Sequence, residues 1–132
     1  VGISKEFNVF ELQHAIAQRN LYKALRIVQY FESNPKAGPL QLIFPSLYNF
    51  FSKVYMAMSV PSRDEKAVAA EIGVSPFFVK DYMQSAARYN VEGIEKILLL
   101  LNVYNLKSIG VGDAGTEDMS LLKEMIVKIM QN

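Results

Sequence analysis

The sequence has no cysteine, which excludes disulfides, thiolate nucleophiles and cysteine-ligated zinc and fits a cytoplasmic protein. Histidine occurs once, as His14, so no catalytic triad can be assembled around it; on a helix, a side-chain hydrogen bond or plain exposure is its expected fate. Charge of either sign is not in surplus: 14 Lys and Arg stand against 13 Asp and Glu, for a net charge of +1. No basic field announces nucleic acid and no acidic tail announces disorder. The longest uninterrupted apolar run is Ile97 to Leu101, far short of the roughly 20 residues that span a bilayer, so no membrane role is expected. Alternation at period two is missing, which removes strands. No GxxxxGKS/T phosphate loop occurs, and neither a nucleotide, a metal nor any other cofactor is expected.

What is present is helical periodicity. From Pro39 to Ser59, residues Leu40, Ile43, Phe44, Leu47, Phe51, Val54, Tyr55 and Met58 share one stripe, with Ser46, Asn49 and Lys53 opposite. A helix of about 20 residues is roughly 30 Å long, enough to serve as the central helix of a small domain. Pro45 removes a donor inside it, predicting a kink or a start nearer Phe44. Before it, Asn8 caps a helix from Val9 to Gln18, with Phe7 stapled to Leu12, and Asn20 caps another from Leu21 to Glu32. After it, Ser62 to Glu65 reads as a capping box for a short helix that Gly73 ends. Ser75-Pro76 restarts a helix to Arg88, Asn90 opens one to Lys107, and Thr116 caps the last, Glu117 to Met130. The chain, residues 1–132, is thus predicted to be one all-α domain of about seven helices around the long central one.

Several patterns invite a chemical reading. Gly110 to Gly115 spells GxGxxG, but helical sequence precedes it and the βαβ context of a dinucleotide site is missing; an interhelical loop is expected. Asp64-Glu65 and Glu117-Asp118 sit in first helical turns, where the dipole favours negative charge. The aromatic set Phe44, Tyr48, Phe50, Phe51 and Tyr55 has helical spacing and is read as core. Lys66 to Met83 has the layout of a helix-turn-helix, whose second helix would offer Lys80 and Gln84 to DNA, although Asp81 and Phe77 make a poor phosphate-binding face. Phe77 and Phe78 are adjacent and cannot both point inward, which leaves one for a partner. In the penultimate helix, Ile94, Ile97, Leu98 and Leu101 form the inward stripe, and Leu99, Leu100, Val103 and Leu106 add a second apolar face. With apolar residues at 51% of the chain, that surplus face is the candidate interface with other subunits. Val127, off the inward stripe of the last helix, is the candidate for a second patch.

The succession FNVFELQHAI, NLYKALRIV, PLQLIFPSLYNFFSKV, AAEIGVSPFFVKDYMQSAARY and IEKILLLLNVYNLKS resembles the C-terminal domain of the delta subunit of the bacterial DNA polymerase III clamp loader. The most specific pieces are Asn8 to Ala15, Tyr22 to Ile27, and Gly73 to Phe77. The resemblance implies a helical, non-catalytic oligomerisation domain that joins the equivalent domains of delta-prime and gamma/tau type subunits in a ring-shaped collar. It also implies that AAA+ type modules, absent from this chain, precede it in the whole subunit and grip the sliding clamp during DNA replication. Val1 in place of methionine fits a domain excised from such a subunit. One departure stands out: where the family carries an aspartate and, four positions later, a lysine near the end of the penultimate helix, this sequence has Asn105 and Ile109. The ion pair that such spacing supports is not expected here. A DNA-binding domain using Lys80 and Gln84 is the alternative reading.

Overall fold

The computed structural model describes residues 6–113 and 115–131. They form α1 (Val9–Ala17), α2 (Leu21–Ser33), α3 (Leu40–Ser59), α4 (Glu65–Ile72), α5 (Val79–Ser108) and α6 (Asp118–Met130), with a single 3₁₀ turn at Pro35–Ala37 and no strand among the described residues. The all-α prediction holds. The two helices expected on either side of Asn90 are both present; they follow one another across a kink without a loop and are counted here together as α5. Asn90 itself breaks the helix with φ 55 and ψ 176, while its side chain accepts from the Gly93 amide at 3.0 Å. Asn90 thereby acts as an internal cap, as the sequence proposed, without releasing the chain into a loop.

The local rules placed most boundaries. Asn8 accepts from the Glu11 amide at 2.9 Å and Asn20 from that of Lys23 at 3.1 Å, each satisfying a donor that has no partner within its helix. Gly73 ends α4 with φ 74, a left-handed conformation that side chains resist. Gly38 is required for a different reason: a Cβ there would meet the Phe31 ring at 2.3 Å. Other starts moved. The cap of α4 is Asp64, which accepts from the Ala67 amide, while Ser62 supports the Asp64 amide. Ser75-Pro76 makes a turn rather than a helix start, and α5 begins at Val79. Thr116 does not cap α6, because its amide and hydroxyl are spent on Asp113. Pro45 lies inside α3, which starts at Leu40 and continues through it.

The core lies where α3 and α5 pack along each other, with α1, α2 and α6 around them. Ile43, Leu47, Phe51 and Val54 of α3 meet Tyr89, Ile94, Ile97 and Leu101 of α5 in one buried cluster. Each such side chain, fully removed from water, contributes about 1.5–3 kcal/mol of transfer free energy. The stripe predicted for α3 was rotated slightly. Tyr55 points outward and donates its hydroxyl to Glu95 Oε2 at 2.7 Å, while Phe50 takes an inward place against Phe51 and Tyr82. Tyr89, buried, donates to the Ile16 carbonyl at 2.5 Å and carries the Arg19 guanidinium over its ring at 5.0 Å. Arg19 also donates to the carbonyls of Arg88 and Met130, so one side chain fastens α1 to the bend of α5 and to the end of α6.

Candidate functional site

A surplus apolar face lies along the second half of α5. Leu99 belongs to the apolar run Ile97 to Leu101, and Val103 and Leu106 follow it at helical spacing, on a helix that already turns Ile94, Ile97, Leu101 and Tyr104 inward. A helix with period 3.6 cannot bury every member of such a run against one neighbour. Leu99 is left 63% exposed, and Val103 and Leu106 each 37%. Leu100, predicted to share this face, is instead half-buried and packed against the core. Among the described residues, nothing covers Leu99, Val103 and Leu106.

Beside this face runs a groove of about 620 Å³ between α3 and α5, lined by Phe44, Pro45, Tyr48, Leu98, Leu99, Leu101, Asn102 and Asn105. Pro45 also borders a second groove of about 460 Å³, where Phe10 of α1 and Leu42 of α3 are exposed. The two grooves share Pro45 and between them are lined by residues of α1, α3 and α5. No charged side chain lines either groove; the polar groups on offer are the amides of Gln13, Asn49, Asn102 and Asn105, the hydroxyls of Tyr48 and Tyr82, and the Ser46 hydroxyl, which is bonded to Gln13 at 2.7 Å. Such a surface fits an apolar partner better than an ion or a phosphate. Asn105 lies at the groove margin and Ile109 is exposed just beyond it, so this end of the groove offers an amide and apolar surface.

Tyr48, expected in the core with the other aromatics of α3, is instead 54% exposed and lines the first groove; Phe10 and Leu42, off the inward stripes of their helices, lie at the second and carry no interface expectation from the sequence. Val127 is half-buried on α6 and lines neither groove. A better-defined second patch is the pair Phe77 and Phe78, both exposed, at 85% and 58%, with ring centroids 5.2 Å apart in an edge-to-face arrangement. The turn before α5 lifts both rings off the surface.

Of the remaining candidates, the residues of the GxGxxG stretch have structural roles. Lys80 and Gln84 are exposed, and Asp81 between them lies 3.7 Å from His14. In the GxGxxG stretch, Ala114 lies outside the described residues. The Asp113 carboxylate there accepts from the amides of Thr116 and Gly115 and from the Thr116 hydroxyl, bonds that hold its carboxyl below the usual range. Those amides are therefore turned to a side chain rather than to a ligand. Tyr104 donates to Glu124, and burial together with that bond raises its phenol, while Lys107 and Lys128 sit over its ring at 4.8 and 5.3 Å. Burial also pushes the Tyr89 phenol far above its usual range, against the opposing influence of Arg19 and Arg88. Among the described residues no cluster of His, Asp and Glu could hold a metal, and no helix is long and apolar enough to cross a membrane.

Comparison with known proteins agrees with this architecture. No curated protein sequence matches the chain. Among solved structures, the fold is similar to the Bacillus subtilis DNA clamp loader delta protein (YqeN), with a TM-score of 0.71 and 22% identity, over 95% of this chain and 36% of that one. The chain thus corresponds to about a third of that protein's length. The family described as DNA polymerase III delta subunit, C-terminal domain, matches residues 6–110, from the lead-in to α1 through the end of α5. By that match, which spans most of its length, the chain belongs to the family formed by the C-terminal domains of DNA polymerase III delta subunits.

Proposed function

We propose that this domain is a non-catalytic oligomerisation module, the collar domain through which a delta subunit joins the clamp-loader ring that opens and loads the sliding clamp. The observation that carries the reading is the uncovered face of Leu99, Val103 and Leu106 beside the uncharged groove of α3 and α5. Leaving these side chains in water forgoes transfer free energy that a partner would recover. The neighbours proposed for it are the equivalent domains of delta-prime and gamma/tau type subunits. A head-to-tail ring requires two different patches on each member, and Phe77 with Phe78 is the candidate for the second. The sliding clamp is assigned to AAA+ type modules of the whole subunit rather than to this domain.

The test is co-purification with the other clamp-loader subunits, using the native domain and the double variant Leu99→Asp, Val103→Asp, beside a salt series on duplex DNA. Capture by the native domain and its loss in a folded double variant supports the reading. Undiminished capture by the variant moves the interface away from this face. DNA binding that falls steeply with salt, without capture of any other loader protein, favours the alternative and points to Lys80 and Gln84.

A further inference from the structure

We propose that the segment from Val60 to Phe78, which carries α4, is a flap that opens and closes independently of the rest of the molecule. Among the described residues its buried attachment is a small second core, in which Val68, Ala69 and Ile72 of α4 rest on Ala57 and Val79, with Tyr82 and Met83 packed against its edge. That core is distinct from the main cluster shared by α1, α2, α3, α5 and α6. The segment's polar ties point inward on itself: Ser62 supports the Asp64 amide, Asp64 the Ala67 amide, and Ser75 the Phe77 amide. Among the described residues, no side-chain hydrogen bond or ion pair joins it to the remainder.

A helix of eight residues is well below the length of about 12–15 at which an isolated helix becomes marginally stable in water. Leaving its seat therefore also melts α4, and the two events form one cooperative step. The boundary of the step is set by α5. Immediately after the flap, α5 is anchored to α1 by Ser85, whose hydroxyl donates to the Ala17 carbonyl at 3.0 Å, and by Tyr89 on the Ile16 carbonyl. The flap can thus leave while α5 stays. Opening bares Ala57 and Val79 close to the already exposed Phe78, creating a transient apolar face separate from the one around Leu99.

Native-state amide hydrogen exchange on the full chain, followed by NMR across low urea concentrations, tests this. Amides from Val68 to Gly73 are expected to exchange at least about 100-fold faster than those from Leu47 to Val54, after correction for intrinsic rates. They should also show little dependence on urea, because little surface is exposed when only the flap opens. Ile97→Ala, or Ile97→Val should the alanine variant not fold, is expected to accelerate the α3 amides and leave the α4 amides unchanged, since the open state keeps the main core. Equal protection and equal urea dependence in α3 and α4 would overturn the flap. So would acceleration of both sets in step in the Ile97 variant.

Discussion

Two apolar faces run side by side along the second half of α5. On one, Ile94, Ile97, Leu101 and Tyr104 are almost completely removed from water; on the other, Leu99, Val103 and Leu106 remain accessible. In composition the two can hardly be told apart, and helix propensity does not distinguish them. They differ only in what packs opposite. The inward face meets the stripe of α3 and the underside of α6, whereas the outward face meets solvent. Apolar character is thus a property of the residue, while burial is a property of the neighbour.

That comparison is sharpened most by truncation on the covered face. Ile97→Ala removes buried methyl and methylene groups from the centre of the core and is expected to lower stability by about 2–5 kcal/mol, read as a shifted midpoint in urea unfolding. At the bend of α5, Asn90→Ala loses the cap on the Gly93 amide and forces alanine into a left-handed conformation. A loss of about 1–3 kcal/mol is expected, and Asn90→Gly, which accepts that backbone, should lose less. The same unfolding assay separates the two.

A third test uses pH. Burial of Tyr89 and Tyr104 raises their phenols above the ordinary value of 10.0. In the unfolded chain these groups ionise once the pH passes about 10, while in the folded protein they stay protonated. The stabilisation is therefore complete below pH 10 and is lost as the pH climbs through the folded values. Thermal midpoints should fall on the alkaline side of pH 10, and the fall should be smaller in Tyr89→Phe, which has one phenol fewer to titrate.

The smallest effect on folding is expected on the uncovered face. Leu99→Asp and Val103→Asp should each change the stability of the isolated domain by no more than about 0.5 kcal/mol, while together they should abolish capture of the partner proteins. Leu100→Asp is the internal control, because Leu100 packs against the core and its replacement should destabilise clearly. A large loss of stability in Leu99→Asp would erase the distinction between the two faces.

How much of this was legible beforehand follows from the range of each interaction. Asn8, Asn20 and Gly73 act within one turn of themselves, so their roles were readable from adjacent letters. Thr116 failed as a cap because Asp113, three residues earlier, claims its amide and hydroxyl. Tyr55 was placed inward on period alone, but a half-polar ring at the edge of the stripe turned to Glu95, and Phe50 filled the core beside Tyr82. The rotation of a stripe is decided by the partner helix, which the period does not contain. The interface candidates were legible as a surplus of leucine. That Leu100 belongs to the core while Leu99 does not required knowing where α3 lies.

By itself the sequence determined the all-α class, the helix ends held by their own caps, the absence of thiol chemistry and of a phosphate loop, and a surplus of apolar residues near the chain's C-terminal third. The tertiary structure alone decided which of two similar apolar faces is covered, that the two helices meeting at Asn90 follow each other without a loop, and that α4 rests on a core of its own. The division has a physical cause. Capping and periodicity are interactions between residues a few positions apart, whereas burial depends on surfaces that meet only after residues tens of positions apart have been brought together.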